Sequence, residues 1–415
     1  MADPVSTEAL TPPIAGGRCD ARAVQVVGTA FIVMFCTVGL ALWGLPYYYD
    51  FMVQQFGWTR SQVTSGNAAS KLIFGPFFGF LAGWMVDRFG PRRLMMFGIL
   101  MASIALIGLG TISSLGMFYL FYILNALGFV CGGPLPNQVL LTEYFEKSRG
   151  KAMGIAYLGI GIGGASVPWI SNLLVQHFGW QNALRCLGLI IFALAFPAAY
   201  FVKEVPSWHT AELPRARPSA QRASIAKAVR SVPFYLLALG SICSVAAISG
   251  VEQNLKLFLV LDHHYGQALA ARFLSLILAF SIVGRLTMGW LADRIHPRDV
   301  MILIYSLIAV AIPILILGQS PLHLYAFAAI LGVAIGGEYM IISLVTAQIF
   351  SMEMLGRLLG IILTIQGFAE SGSPWIMGHM RDAQGSYLPG FIALDVLAFV
   401  AVLATFLVPK HRRIT

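Results

Sequence analysis

Runs of about 20 consecutive, mostly apolar residues recur along almost the whole of this chain. That feature excludes most folds. Such a run crosses roughly 30 Å of hydrocarbon as a helix. In lipid every backbone N–H and C=O must find its partner within the segment or in a closed barrel. Runs this long select helices. Composition agrees, with 58% hydrophobic and 11% charged residues, where a soluble domain carries about 25% charged. The pattern predicts an all-α membrane protein of 12 transmembrane helices at 24–49, 61–86, 94–113, 116–142, 152–175, 182–202, 233–260, 272–292, 300–318, 323–349, 358–379 and 388–408.

The net charge of +9 does not point to nucleic acid, because the basic residues sit in short loops between spans. One set of loops and ends holds Arg18, Arg22, Arg88, Arg92, Arg93, Lys147, Arg149, Lys151, Arg294, Arg298, Arg357, Lys410, Arg412 and Arg413. The opposite loops hold Arg60, Arg272 and Arg381. The positive-inside bias then places both termini in the cytoplasm of a multi-pass cell-membrane protein. The expected organisation is a cytoplasmic tail at 1–22, a six-helix bundle at 23–202, a basic Pro/Ala-rich cytoplasmic linker at 203–231, a second bundle at 232–408 and a tail at 409–415. Residues 1–22 are polar and the first apolar span is too long for a signal-peptide core. Short loops suit a bacterial inner membrane. The five cysteines, Cys19, Cys36, Cys131, Cys186 and Cys243, have neither close pairing nor metal-ligand spacing, so they read as small apolar residues.

A repeat at one constant offset supports two bundles. Gly83-Trp-Met-Val-Asp87-Arg88-Phe-Gly90-Pro91-Arg92-Arg93 ends the second span. Gly289-Trp-Leu-Ala-Asp293-Arg294-Ile-His296-Pro297-Arg298 ends the eighth. Gly150, Gly154, Gly161 and Pro168-Trp169-Ile170 in the fifth span return as Gly356, Gly360, Gly367 and Pro374-Trp375-Ile376 in the eleventh. Two pseudo-symmetric six-helix bundles meeting at a midplane site follow. Gly83 and Gly289 allow close helix approach. Asp87–Arg88 and Asp293–Arg294, with Arg92 and Arg298 beside them, read as ion pairs that latch one conformation.

The Gly83–Arg93 string and its echo resemble the loop signature of the major facilitator superfamily, with His296 departing from Gly90. The resemblance covers nearly the whole chain. A looser one, to the monocarboxylate transporter and oxalate–formate exchanger branch, rests on Phe56-Gly57-Trp58-Thr-Arg60-Ser61, Tyr144-Phe145, Arg149-Gly150, Phe178-Gly179-Trp180 and Gly284-Arg285. It implies a carrier working by alternating access, whose arginine in the eighth helix, here Arg285, binds the substrate carboxylate. It also implies that a tyrosine of Tyr47-Tyr48-Tyr49 lines the cavity, where position alone reads the run as an interfacial aromatic belt. The oxalate exchangers' eleventh-helix lysine falls at Gln366 here, which favours a monoanion over a dianion. The acid one turn before the arginine in animal carriers falls at Ser281, and their first-helix lysine falls at Tyr47.

Ionisable residues inside spans each cost at least about 2.5–3.5 kcal/mol and call for a function. Arg285 lies eight residues before Asp293, roughly 12 Å from the loop at 1.5 Å per residue, and a guanidinium there can hold a carboxylate by two parallel hydrogen bonds. The competing reading is a structural pair with Glu338 or Glu370. Those two carboxyls are candidates for proton coupling or for counter-ions to Arg285 or Lys71. Glu252 and Lys256, four apart, read as an intrahelical gating pair. Asn137, in Pro134-Leu-Pro136-Asn137-Gln138, is a candidate carboxylate ligand in a helix broken by proline. Asp395 has no evident partner.

The expected function is a secondary active transporter of a small organic anion, a monocarboxylate first, with proton coupling or exchange. The alternative is a carrier of a cationic or neutral solute, drug or sugar, built on Glu338 and Glu370. An enzyme is not expected, since neither nucleophile–base nor metal-ligand spacing stands out, and the glycines at 159–164 lie in a helix, unlike a phosphate loop. The expected partners are the anion, protons and the bilayer. No cofactor or metal is expected, and a monomer is.

Overall fold

The computed structural model describes residues 21–59, 62–63, 66, 75–145, 148–202, 225–265, 267–318, 320–350 and 354–410. Lys71, Arg18, Arg60, Lys147, most of the linker, and Arg412 and Arg413 lie outside the described residues, so the expectations resting on them do too.

The chain is all-α. α1 (Ala21–Met34) continues through a π-helical turn, Phe35–Leu40, and a 3-10 turn, Leu45–Tyr48, into the short α2 (Tyr49–Phe56). Then come α3 (Gly75–Phe89), α4 (Pro91–Leu109), α5 (Leu115–Gly132), α6 (Pro134–Tyr144) and α7 (Arg149–Phe201). The second half holds α8 (Val232–Leu257), α9 (Gln267–Ala292), α10 (Pro297–Leu317), α11 (Pro321–Ile349), α12 (Leu355–Gln384) and α13 (Leu388–Phe406). Pro91, Pro134, Pro297 and Pro321 each open a helix, where the missing N–H costs nothing and φ is already helical.

One boundary differs from the sequence pattern. The fourth span is two helices. Pro134 and Pro136 interrupt the ladder, so the chain breaks at Gly133 (φ −85°, ψ −135°). The fifth and sixth spans, which share the label α7, are two helices that meet at a kink at Gly179, with φ 76° and ψ 159°. That angle is open to glycine and strained for other residues.

The twelve spans pack as two related sets. In the first, α1 and α4 lie against α7 and α4 against α5; in the second, α9 and α10 lie against α11, and α8 against α12 and α13. The sets meet through two equivalent pairs, α7 with α9 and α3 with α12. Large apolar side chains such as Trp169, Leu317, Leu322 and Leu403 point outward, while Asn125, Asn137, Gln138, Arg285, Glu338 and Gln366 are buried. A lipid-facing perimeter around a polar interior explains this inversion of the soluble pattern.

Candidate functional site

Backbone contact closes the interface at one end, where the Asp87 and Asp293 loops lie. A Cβ on Gly150 would stand 2.1 Å from the Gly289 carbonyl oxygen, and one on Gly289 2.4 Å from that of Gly150. In the equivalent seam a Cβ on Gly83 would stand 2.7 Å from the Gly356 oxygen, and one on Gly360 2.8 Å from that of Gly79. Only glycine permits such approach.

Each seam ends in a cap exchanged between the halves. Asp293 Oδ1 accepts from the Gly150 N–H at 2.6 Å and Oδ2 from the Lys151 N–H at 2.9 Å, so a second-half carboxylate caps the first turn of α7. Asp87 does the same for α12. Its Oδ2 accepts from the Arg357 N–H at 3.2 Å and stands 3.1 Å from Arg357 Nε. A carboxylate at a helix N-terminus satisfies orphan donors and meets the positive end of the dipole. Burial pushes the Asp293 carboxyl above its ordinary range, against the opposing pull of the Lys151 and Gly150 amides.

This corrects the expected latch. The aspartates do not pair with the adjacent Arg88 and Arg294. Those guanidiniums lie over their own helices' tryptophans, Arg88 at 5.2 Å from Trp84 and Arg294 at 4.0 Å from Trp290. Arg92 donates to the Tyr200 carbonyl, and Arg298 donates to the Thr405 and Phe406 carbonyls. Both tie helix ends within one half, where last-turn carbonyls lack partners.

Further from the caps, the same interface holds Arg285. Its backbone is pinned to α11, since a Cβ on Gly336 would stand 2.6 Å from the Arg285 N. Its guanidinium lies against the first half, where a Cβ on Gly161 would stand 2.4 Å from Nη1. Arg285 is 9% exposed and Nη1 is buried without a hydrogen-bond partner. Among the described residues no ion pair holds it, so the structural pair with Glu338 or Glu370 is not made. Tyr339, Tyr157 and Glu252 act on it electrostatically.

Aromatic and amide groups complete this layer. Gln138 Nε2 donates to the Tyr157 hydroxyl and, at 2.9 Å, to the Tyr339 carbonyl, joining α6 and α7 to α11. Tyr157 and Tyr305 are fully enclosed. The sequence reading missed Tyr157, Tyr305 and Tyr339; the mid-span position of each was the only signal. Glu338, also in this layer, is wholly buried with neither carboxyl oxygen hydrogen-bonded among the described residues.

Other expected ligands sit differently. Asn137 does not present its amide to a cavity. Nδ2 donates to the Gly132 and Gly133 carbonyls at 3.0 and 2.7 Å, repairing the break that the prolines create. Gln366 donates to Ser241, bridging α12 and α8. Tyr47 donates to Asn172 at 3.2 Å in an exposed position, and Tyr48 is buried. Glu252 and Lys256 form no ion pair. Lys256 is exposed, while Glu252 acts inward on Arg285 and Tyr339. Glu370 acts on Glu338, and its carbonyl accepts from Ser249 at 2.5 Å. Among the described residues no group of three or more His, Cys, Asp or Glu is placed to hold a metal.

A family model of the Major Facilitator Superfamily matches residues 29–374, and again 273–414. The chain belongs to the major facilitator superfamily. Members of this superfamily are transporters, and relatives span most of the chain. An uncharacterised MFS-type transporter of Bacillus subtilis is 26% identical over 80% of this chain and 81% of its own length. Monocarboxylate transporter 12 of Rattus norvegicus is 26% identical over 92% and 84%. A probable sulfoacetate transporter of Cupriavidus necator is 25% identical over 86% and 87%. Among solved structures, the superfamily transporter FucP in its outward conformation superposes with a TM-score of 0.78 at 16% identity, covering 94% of this chain and 99% of that one. That likeness establishes the shared fold.

Proposed function

We propose that the chain is a secondary active transporter of a small organic anion, a monocarboxylate first, working by alternating access. One observation carries the reading. A guanidinium is buried at the interface of the two halves, and no protein anion pairs with it among the described residues. Burying an unpaired charge is costly, and a cargo carboxylate that pairs with it offsets that cost. Two parallel N–H···O bonds would hold the carboxylate, with the Tyr157 and Tyr339 rings beside it. Two of the relatives are named for organic anions, a monocarboxylate and sulfoacetate, which supports the class.

On this reading the basic loops put the closed end and both termini on the cytoplasmic side, as in a bacterial inner membrane. Cycling inward requires the glycine seams to part and both aspartate caps to break. The anion would move because Arg285, on the interface itself, is reachable from whichever end is open.

Uptake of labelled lactate, pyruvate and formate into proteoliposomes tests the proposal. Arg285→Ala should abolish it, and uptake that survives the substitution refutes it. The alternative, a cationic or neutral solute on Glu338 and Glu370, predicts inhibition by organic cations and indifference to carboxylates.

A further inference from the structure

The two halves are not equally well filled. In the first, α7 lies on α1 through glycines. A Cβ on Gly159 would stand 2.3 Å from the Phe31 carbonyl oxygen, and one on Gly163 2.7 Å from that of Phe35. At the repeat's constant offset α12 carries Ile365 and Ala369 in those places, so backbone cannot approach backbone there. What remains is a groove of about 370 Å³ lined by α8, α12 and α13. Gly372 lies in that lining, and a Cβ on it would meet nothing within 4 Å.

The groove belongs to the lipid-facing perimeter. Phe368 and Ile376 line it and are 45% and 52% exposed, and Ile392 and Val396 of α13 are exposed as well. Ser373 is the one polar side chain in the lining, and its hydroxyl is spent on the Ala246 carbonyl at 2.6 Å. Along α12 the groove runs from Ile365 to Met380, about 22 Å at 1.5 Å per residue. One leaflet spans about half of the roughly 30 Å core, so the groove is long enough for an acyl chain.

A cation stands at the end of the groove opposite the exchanged caps. Arg381 follows the lining residue Met380, and its guanidinium lies 5.7 Å from the ring of Tyr387, one turn before the lining residue Gly390. Arg381 is 24 residues beyond the capped Arg357, about 36 Å along a helix. That is longer than the hydrocarbon core and within the roughly 40–45 Å that includes the headgroups. Arg381 Nε is buried without a hydrogen-bond partner. Among the described residues its one ion pair is from Nη1 to the exposed Asp382 at 4.0 Å, a surface contact of little worth. Trp375 and His379 stack at 6.0 Å on the same turns of α12, at the depth where aromatic rings favour the membrane boundary.

We propose that this groove is a binding site for one phospholipid, with an acyl chain along α12 and the phosphate on Arg381. An empty groove forfeits dispersion contacts along its whole lining, and a chain restores them. The guanidinium fork suits a phosphate oxygen pair, and such a contact supplies the missing acceptor for Nε. The two features lie one chain length apart, which selects a lipid over a free phosphate or a bare hydrocarbon. Arg285 takes no part, so the site stands or falls independently of the cargo.

Native mass spectrometry of the full-length protein, released from micelles titrated with palmitoyl-oleoyl phosphatidylglycerol, tests this. Wild type should retain one lipid well ahead of the statistical series. Gly372→Leu fills the groove where a Cβ meets open space, and should weaken that first binding about tenfold. Arg381→Gln, at a partly exposed position, changes no packing in the groove and should weaken it to a similar degree, with Arg381→Lys recovering part. Gly116→Leu, also in open space but in the other half, should bind as wild type does. Diacylglycerol with the same chains should bind about tenfold more weakly, and inorganic phosphate should not compete. Wild-type affinity in Gly372→Leu or in Arg381→Gln overturns the proposal. So does diacylglycerol binding as tightly as the phospholipid, or a wild-type series with no favoured first lipid.

Discussion

Replacing Gly289 by alanine places one methyl group where the two halves touch most closely. The new Cβ would lie 2.4 Å from the Gly150 carbonyl oxygen and 3.4 Å from the Gly154 Cα. Ordinary contact between non-bonded heavy atoms is about 3.5 Å, so the α7 and α9 backbones must part by about 1 Å. The obstacle is backbone, which cannot swing aside as a side-chain tip can. Overpacking of this kind costs about 1–3 kcal/mol, and only the state closed at the basic end bears the cost. The equilibrium between the two states should therefore shift roughly 5- to 150-fold toward opening at that end. Spin labels at the exposed positions Arg93 and Ile295, one in each half, report the change as a gain of long distances in double electron–electron resonance. Gly116→Ala, whose Cβ would meet nothing within 4 Å, is the matched control and should leave the distances alone. Unchanged distances in Gly289→Ala would refute the idea that glycine-limited backbone contact closes this seam.

Asp293→Ala removes both oxygens that cap α7 and should move the same equilibrium by about 0.5–2 kcal/mol toward opening, read with the same labels. The pH dependence has a definite sign. Asp293 holds its proton more tightly in the closed seam, where burial raises its pKa, than in the solvated open one, so the closed state gains as pH falls from that raised value toward about 3.9. Wild type minus Asp293→Asn should isolate this gain, and a difference of opposite sign would contradict the assignment. Asn137→Ala leaves the Gly132 and Gly133 carbonyls without their donor and should destabilise the protein by about 1–3 kcal/mol, seen as a lower Tm in detergent with KM for the transported anion little changed. Gly161→Ala drives a Cβ to 2.4 Å from Arg285 Nη1; the flexible guanidinium can yield, so stability should hold while KM rises about tenfold, roughly 1.4 kcal/mol.

The fold was legible because its determinants are local and repeated. Span length, the glycines, the prolines and the two Asp-Arg strings announce a duplicated bundle, and their residue types follow from what each backbone position must do. Partners across the interface were not legible in the same way. Asp87 and Asp293 read as partners of the arginines beside them, because adjacent letters suggest adjacent charges. Their true partners are helix ends contributed by the other half. Glu252 and Lys256 obeyed the four-residue spacing rule but were pulled apart by environment, the lysine outward to an exposed position and the glutamate inward toward Arg285. Asn137 stands next to a helix break, and its amide serves that break. Tyr157, Tyr305 and Tyr339 could not be singled out, since a tyrosine in a span is written the same whether it faces lipid, core or site.

The exchange of caps has a wider consequence. Each half offers an aspartate and receives one, using the same patch of surface twice about a pseudo-two-fold axis, so the contact is isologous in the way of a symmetric dimer. Such an interface is lost or kept as a unit, because a rotation that frees one aspartate strains its mirror image. A molecule joined in this manner behaves as a rocking pair with two resting positions, and intermediate tilts satisfy neither cap.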